Sequence, residues 1–192
     1  MTANTNTVKN RIYPGLNCSS VEFFNNKGEV KAFAKGKMLD FEDLPYTYHQ
    51  TLKSELNKEP ETSKILEDWF PDSELQQLEK FVSCRFGGLD FVPDIQNYQL
   101  QKGEYWDCPL RGKCKGEGIV CRNLTYEGKE LTANDIKLLK LLGTNYTNEV
   151  LAEEMDMCQG TFNLFKKQLY IKLGNIQTKQ EAVIIAVKLN LI

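Results

Sequence analysis

Two sets of residues in this chain have types and spacings that could do chemistry. The first is Cys84, Cys108, Cys114 and Cys121, with 23, 5 and 6 residues between them. Four thiolates are the complement of a tetrahedral metal site. Arg111, Lys113, Lys115 and Arg122 stand among them and favour the thiolate, while Gly112, Gly116 and Gly118 would let a short loop wrap an ion. Structural zinc is the expected cofactor, with an iron–sulfur cluster and unliganded buried thiols as alternatives. Disulfides are not expected in a chain that shows no export segment. Cys18 and Cys158 have no evident partner. The second set is Asn163, Lys166, Lys167 and Gln168, whose spacing puts several hydrogen-bond donors on the outer side of one helix. Such donors can meet phosphates and base edges.

These donors need a frame, and residues 131–192 supply it as four short amphipathic helices. Thr132 and Asp135 have the spacing of a capping box, and Ile136, Leu138, Leu139 and Leu142 follow as one apolar stripe, with Gly143 read as a left-handed stop. Thr147 is placed to cap a second helix that buries Val150, Leu151 and Met155. After Asp156 to Gly160, a third helix is predicted from Thr161 to Leu173. Phe162, Phe165, Leu169 and Leu173 would face the core, with the donors opposite. A short helix, a tight turn and a second helix with an outward polar face is the geometry that presents side chains to the major groove. The last helix, about 179–190, is more apolar and would be well buried or would cover a partner.

The order of these residues resembles the LuxR-type (GerE-like) helix-turn-helix DNA-binding domain. Its signature pieces are matched by Leu131-Thr132, Asp135, Leu138-Leu139, Thr147 to Ala152, Thr161-Phe162, Lys172-Leu173-Gly174 and Glu181-Ala182-Val183. The resemblance implies groove-facing residues at Asn163, Leu164 and Lys167 on a helix that starts near Thr161, with Lys166 close to phosphate and Gln168 beside them. Asn163 stands where the family has a basic residue, Phe165 where it has histidine, and Cys158 where it has a Ser/Thr cap. Cys108-Pro109-Leu110-Arg111-Gly112-Lys113-Cys114 is similar to a short cysteine motif of WhiB-like iron–sulfur regulators, which is what raises the cluster alternative.

Upstream the pattern is mixed α+β. Residues 21–24 and 30–34 read as two strands joined by a turn at 25–28, followed by helices over 44–56 and 63–70 and a third carrying Leu75, Leu78, Phe81 and Val82, capped by Asp72 or Ser73. The expected organisation is a disordered tail over 1–10, an α+β domain over 11–128 whose cysteine-rich loop (84–122) binds metal, and an all-α tetrahelical helix-turn-helix domain over 129–192. The longest apolar run, Ala182 to Val187, is far short of the ~20 residues that cross a bilayer, so a cytoplasmic chain is expected. The 192 residues carry a net charge of −2, with seven Lys against six acids in 131–192.

No nucleophile–base set or phosphate loop is visible. His49, the single histidine, stands in a predicted helix beside Tyr46 and Tyr48. An enzyme is therefore not expected. The reading is a DNA-binding transcription regulator that acts on double-stranded DNA as a homodimer paired through the last helix. A protein-interaction adaptor without DNA binding and an iron–sulfur redox-sensing regulator are the alternatives.

Overall fold

The computed structural model describes residues 12–189, 191 and 192, and the tail expected over 1–10 lies outside them. Two compact units divide the chain, the first ending at Glu104 and the second running from Tyr105 to Ile192. The sequence reading put the division after residue 128.

The first unit opens with three antiparallel strands in the order β1 (Glu22–Asn26), β2 (Glu29–Ala34) and β3 (Lys37–Asp40). Asn26 pairs with Glu29 and Ala34 with Lys37, so each turn is two residues long. Lys27 and Gly28 have φ of 55° and 101°, and Lys35 and Gly36 have 52° and 76°. Two positive φ values match the twist of the flanking strands, and glycine at the second position adopts one without steric cost. The second of these Lys-Gly pairs marks β3, which the sequence reading left out. Val30, Ala32 and Ala34 are buried in alternation along β2.

Three helices follow: α1 (Tyr46–Leu56), α2 (Pro60–Trp69) and α3 (Glu74–Arg85). α2 begins at Pro60, three residues before the expected start, because a proline with fixed φ suits the first helical position, where no amide hydrogen is needed. Ser73 caps α3 by accepting from Gln76 N. Leu78, Phe81 and Val82 are buried where α3 packs on β1, β2 and the other two helices. Arg85 is also buried, and its guanidinium is held by the Glu59 carboxylate at 2.5 and 3.2 Å. His49 Nε2 lies 3.0 Å from Phe41 O, and the two rings meet edge to face. A short hairpin of β4 (Ile95–Gln96) and β5 (Gln99–Leu100) closes the unit.

The second unit begins with an irregular segment and a hairpin, β6 (Thr125–Tyr126) with β7 (Lys129–Glu130), turned at Glu127-Gly128. Four helices follow: α4 (Ala133–Leu142), α5 (Asn148–Glu154), α6 (Gln159–Lys172) and α7 (Lys179–Lys188). The unit is thus not all-α as expected, since Leu124 and Leu131, at either end of the hairpin, are buried in the same core as the helices. α4 packs against α7 and α5, and α5 packs against α6.

Leu138, Leu139, Leu142, Phe162, Ala182 and Ala186 are fully closed to solvent. Thr132 and Asp135 form the expected capping box, and Thr178 with Glu181 forms a second one at α7. Thr147 stands at the N-cap of α5 without capping it: its hydroxyl makes no bond to the helix amides. Gly143 has φ −70° and is not a left-handed stop. A Cβ there would come within 2.7 Å of Ile192 Cδ1 and 3.1 Å of Lys140 O, so glycine permits a close approach. Among the described residues, no helix is long and apolar enough to cross a membrane.

Burying a leucine contributes roughly 1.5–3 kcal/mol, and truncating one leaves a cavity as well. Leu138→Ala should lower the unfolding free energy by ~2–5 kcal/mol in a urea titration. Ile184→Ala, at a side 54% exposed, should stay within about 0.5 kcal/mol of wild type.

Candidate nucleic-acid interface

The candidate face lies on α6, and α6 is positioned from both ends. Phe162 and Leu169 lie on its inner face and Leu173 at its C-cap, each at most 1% exposed. At the C-terminal end, Lys172 Nζ meets Asp135 Oδ2 at 2.6 Å. That carboxylate is 5% exposed and also accepts from Thr132 N at 2.8 Å. One buried acid therefore closes the start of α4 and holds the end of α6. Lys172 and Asp135 are 37 residues apart, and the sequence carries no local signal of their pairing.

With the inner face fixed, helical geometry decides what points out. Leu164, Lys167, Gln168 and Ile171 recur at three- and four-residue spacing on the side opposite Phe162 and Leu169, and all are exposed. Leu164 is 65% and Ile171 48% exposed, a high value for apolar side chains on a helix of a small unit. Asn163 and Thr161 are exposed at the flank. The helix carries three lysines and no acid, whereas α5 carries three acids and no base. Of those lysines, Lys167 lies on the outward face of α6.

Lys166 stands apart from this set. Its Nζ donates to Asn148 Oδ1 at 2.9 Å and lies 5.6 Å from the Tyr170 ring centroid. Burial, and then the charge of Lys179, hold its pKa below the ordinary lysine value. Lys179 itself donates to the carbonyls of Thr144 and Tyr146. Lys166 therefore ties α6 to the start of α5, and Lys167 is the cation left on the open face. Sequence reasoning missed Ile171, although its seven-residue spacing from Leu164 puts it on the same side.

α6 starts at Gln159, two residues before the expected Thr161, with Cys158 at its N-cap. Cys158 Sγ lies 3.2 Å from Thr161 Oγ1. The Thr161 hydroxyl and then the nearby backbone amides lower the thiol pKa. The turn between α5 and α6 holds its shape through Asp156 at φ 55° and the bond from Met157 N to Ala152 O.

The four cysteines expected to hold a metal are divided between the two units. Among the described residues, no three Cys, His, Asp or Glu side chains are grouped so that they could hold a metal ion. Cys84 belongs to the first unit, while Cys108, Cys114 and Cys121 belong to the second. Arg111, one of the cations expected to serve the thiols, lies over the Tyr105 ring at 4.2 Å and donates to the carbonyls of Trp106 and Arg122. Cys121 is buried.

No family model, curated protein or solved structure matches this chain. Removing Asp135 would leave Lys172 partly buried without its counter-charge and Thr132 N without its acceptor. Asp135→Ala should cost ~2–4 kcal/mol by urea denaturation, and Lys172→Met should cost less because it leaves no ammonium behind.

Proposed function

We propose that this chain is a sequence-specific DNA-binding transcription regulator that reads the major groove with α6. The observation that carries the reading is the outward face of α6. It presents Leu164, Lys167 and Gln168 side by side, with Asn163 at its flank, on a helix without a single acid, after a short helix and a tight turn. An α-helix fits the major groove. There asparagine or glutamine can pair with adenine, lysine with guanine or phosphate, and an apolar side chain with the thymine methyl. The order of residues along 131–192 resembles the LuxR-type domain, and four helices lie in that stretch.

Net charge gives little help, since the whole chain is at −2. Affinity must come from the local field of α6 and from doubling the site. Ile184 and Val187, each 54% exposed on α7, supply an apolar strip through which a second copy could pair. A second reading, a protein-docking adaptor on the same four-helix frame, is favoured by the exposure of Leu164 and Ile171.

The two readings separate on one residue. Lys167 is exposed and makes no internal bond that its replacement would break. In a salt series with fragmented genomic DNA, wild type should lose affinity log-linearly with salt and retain a subset of fragments at high salt. Lys167→Glu should fold normally and bind at least tenfold more weakly. Equal binding by both proteins at low salt would favour the adaptor. On the selected fragments, Asn163→Ala should cost ~1–3 kcal/mol of discrimination at one base pair if Asn163 pairs with adenine.

A further inference from the structure

A cavity of about 300 Å³ opens within the second unit, between the irregular segment that begins at Tyr105 and the first turns of α4. Its lining is divided by chemistry. Leu124, Leu131 and Ile136 belong to the helical core and give the cavity an apolar side. Ala133, the first residue of α4, lines it with a single methyl group. The charged groups are Asp107, Arg111, Glu117, Lys137 and Lys140, so three cations face two acids.

Both acids are engaged inside the protein. Asp107 Oδ2 accepts from Lys140 Nζ at 2.5 Å, and Glu117 Oε2 accepts from Gly112 N at 2.5 Å. The cations are not all matched in return. Arg111 lies 4.2 Å over the Tyr105 ring, and its Nε and Nη2 donate to the carbonyls of Trp106 and Arg122 at 3.4 and 3.2 Å. Its Nη1 stands 3.9 Å from Glu117 Oε1, beyond hydrogen-bond distance, and has no acceptor among the described residues. Lys137 is exposed and has no hydrogen bond or ion pair among the described residues. A guanidinium fixed by stacking and by two carbonyls offers its remaining donors without further ordering cost, and a planar carboxylate matches them.

We infer that this cavity binds a small organic monocarboxylate, its apolar body against Leu124, Leu131 and Ile136 and its carboxylate taken by Arg111 Nη1 and Lys137. At ~30 Å³ for each water-sized group, the volume holds about ten heavy atoms, the size of an arylacetate. The other ligand classes fit less well. An inorganic anion would leave the apolar side uncovered, a neutral hydrocarbon would shield Arg111 Nη1 from water without giving it an acceptor, and an amine would meet like charge. The site lies apart from the outward face of α6 and does not depend on the DNA-binding reading.

A nuclear magnetic resonance titration of the isotope-labelled full-length chain with phenylacetate tests the assignment. Amides of Tyr105, Gly112, Asn123 and Ile136 should shift saturably at or below about 10 mM ligand, the range open to so small a molecule. Phenylacetamide and inorganic phosphate should each bind at least tenfold more weakly. Lys137→Met, at an exposed position with no bond to lose, should weaken phenylacetate at least threefold and leave the weak binding of phenylacetamide unchanged. Ala133→Phe fills the cavity from an exposed position and should abolish binding. Absence of saturation in the wild type would overturn the site, as would equal affinity for the acid and its amide or for phosphate. Unchanged phenylacetate binding in either variant would overturn it as well.

Discussion

Asp135 is the joint on which the second unit depends. Its carboxylate is nearly closed to solvent, completes the N-terminal cap of α4 and neutralises Lys172 at the end of α6. A buried acid is stable only when hydrogen-bonded and paired, and this one meets both needs with groups from two helices. The consequence is geometric. Once Lys172 is held and Phe162, Leu169 and Leu173 are buried, α6 has no freedom to rotate. Leu164, Lys167, Gln168 and Ile171 are left facing solvent.

The same constraint sorts the lysines by role. Lys172 holds α6 to the Asp135 carboxylate, Lys166 ties α6 to Asn148, and Lys179 closes the carbonyls after α4. Of the three lysines of α6 only Lys167 is presented without an internal partner among the described residues. A DNA-binding reading that counted all of them as phosphate contacts would overstate the field. Each unit holds one buried or nearly buried charge in a cross-element ion pair: Asp135 with Lys172 in the second, and Arg85 with Glu59 in the first.

Local signals were legible in the sequence, and distant ones were not. The capping box at Thr132 and the apolar stripe of α4 were readable because their residues lie within one or two turns of each other. The first hairpin is legible from its Gly-containing turn, and Lys35-Gly36 and Glu127-Gly128 give the same signal for two of the three that were missed; the third, β4–β5, turns at Asn97-Tyr98 without a glycine. Thr147 has the right type for a cap but makes no capping bond, and Gly143 avoids a clash with Ile192, 49 positions away in the chain. Four cysteines of suitable number say nothing by themselves about convergence, because a metal site needs a spatial arrangement that sequence spacing does not give. The bond from Phe23 N to the Asp94 carboxylate was invisible because it spans 71 positions, beside a Val21–Ile95 strand bridge that no periodicity marks.

The central claim is that the outward face of α6 contacts DNA, and chemical-shift mapping of the isotope-labelled chain against a selected duplex tests it most directly. The account predicts that perturbations concentrate on Thr161 to Gln168 and on Ile171, with the buried side of α4 silent. Perturbations confined to α7 or to the first unit, or none at low salt, would contradict it.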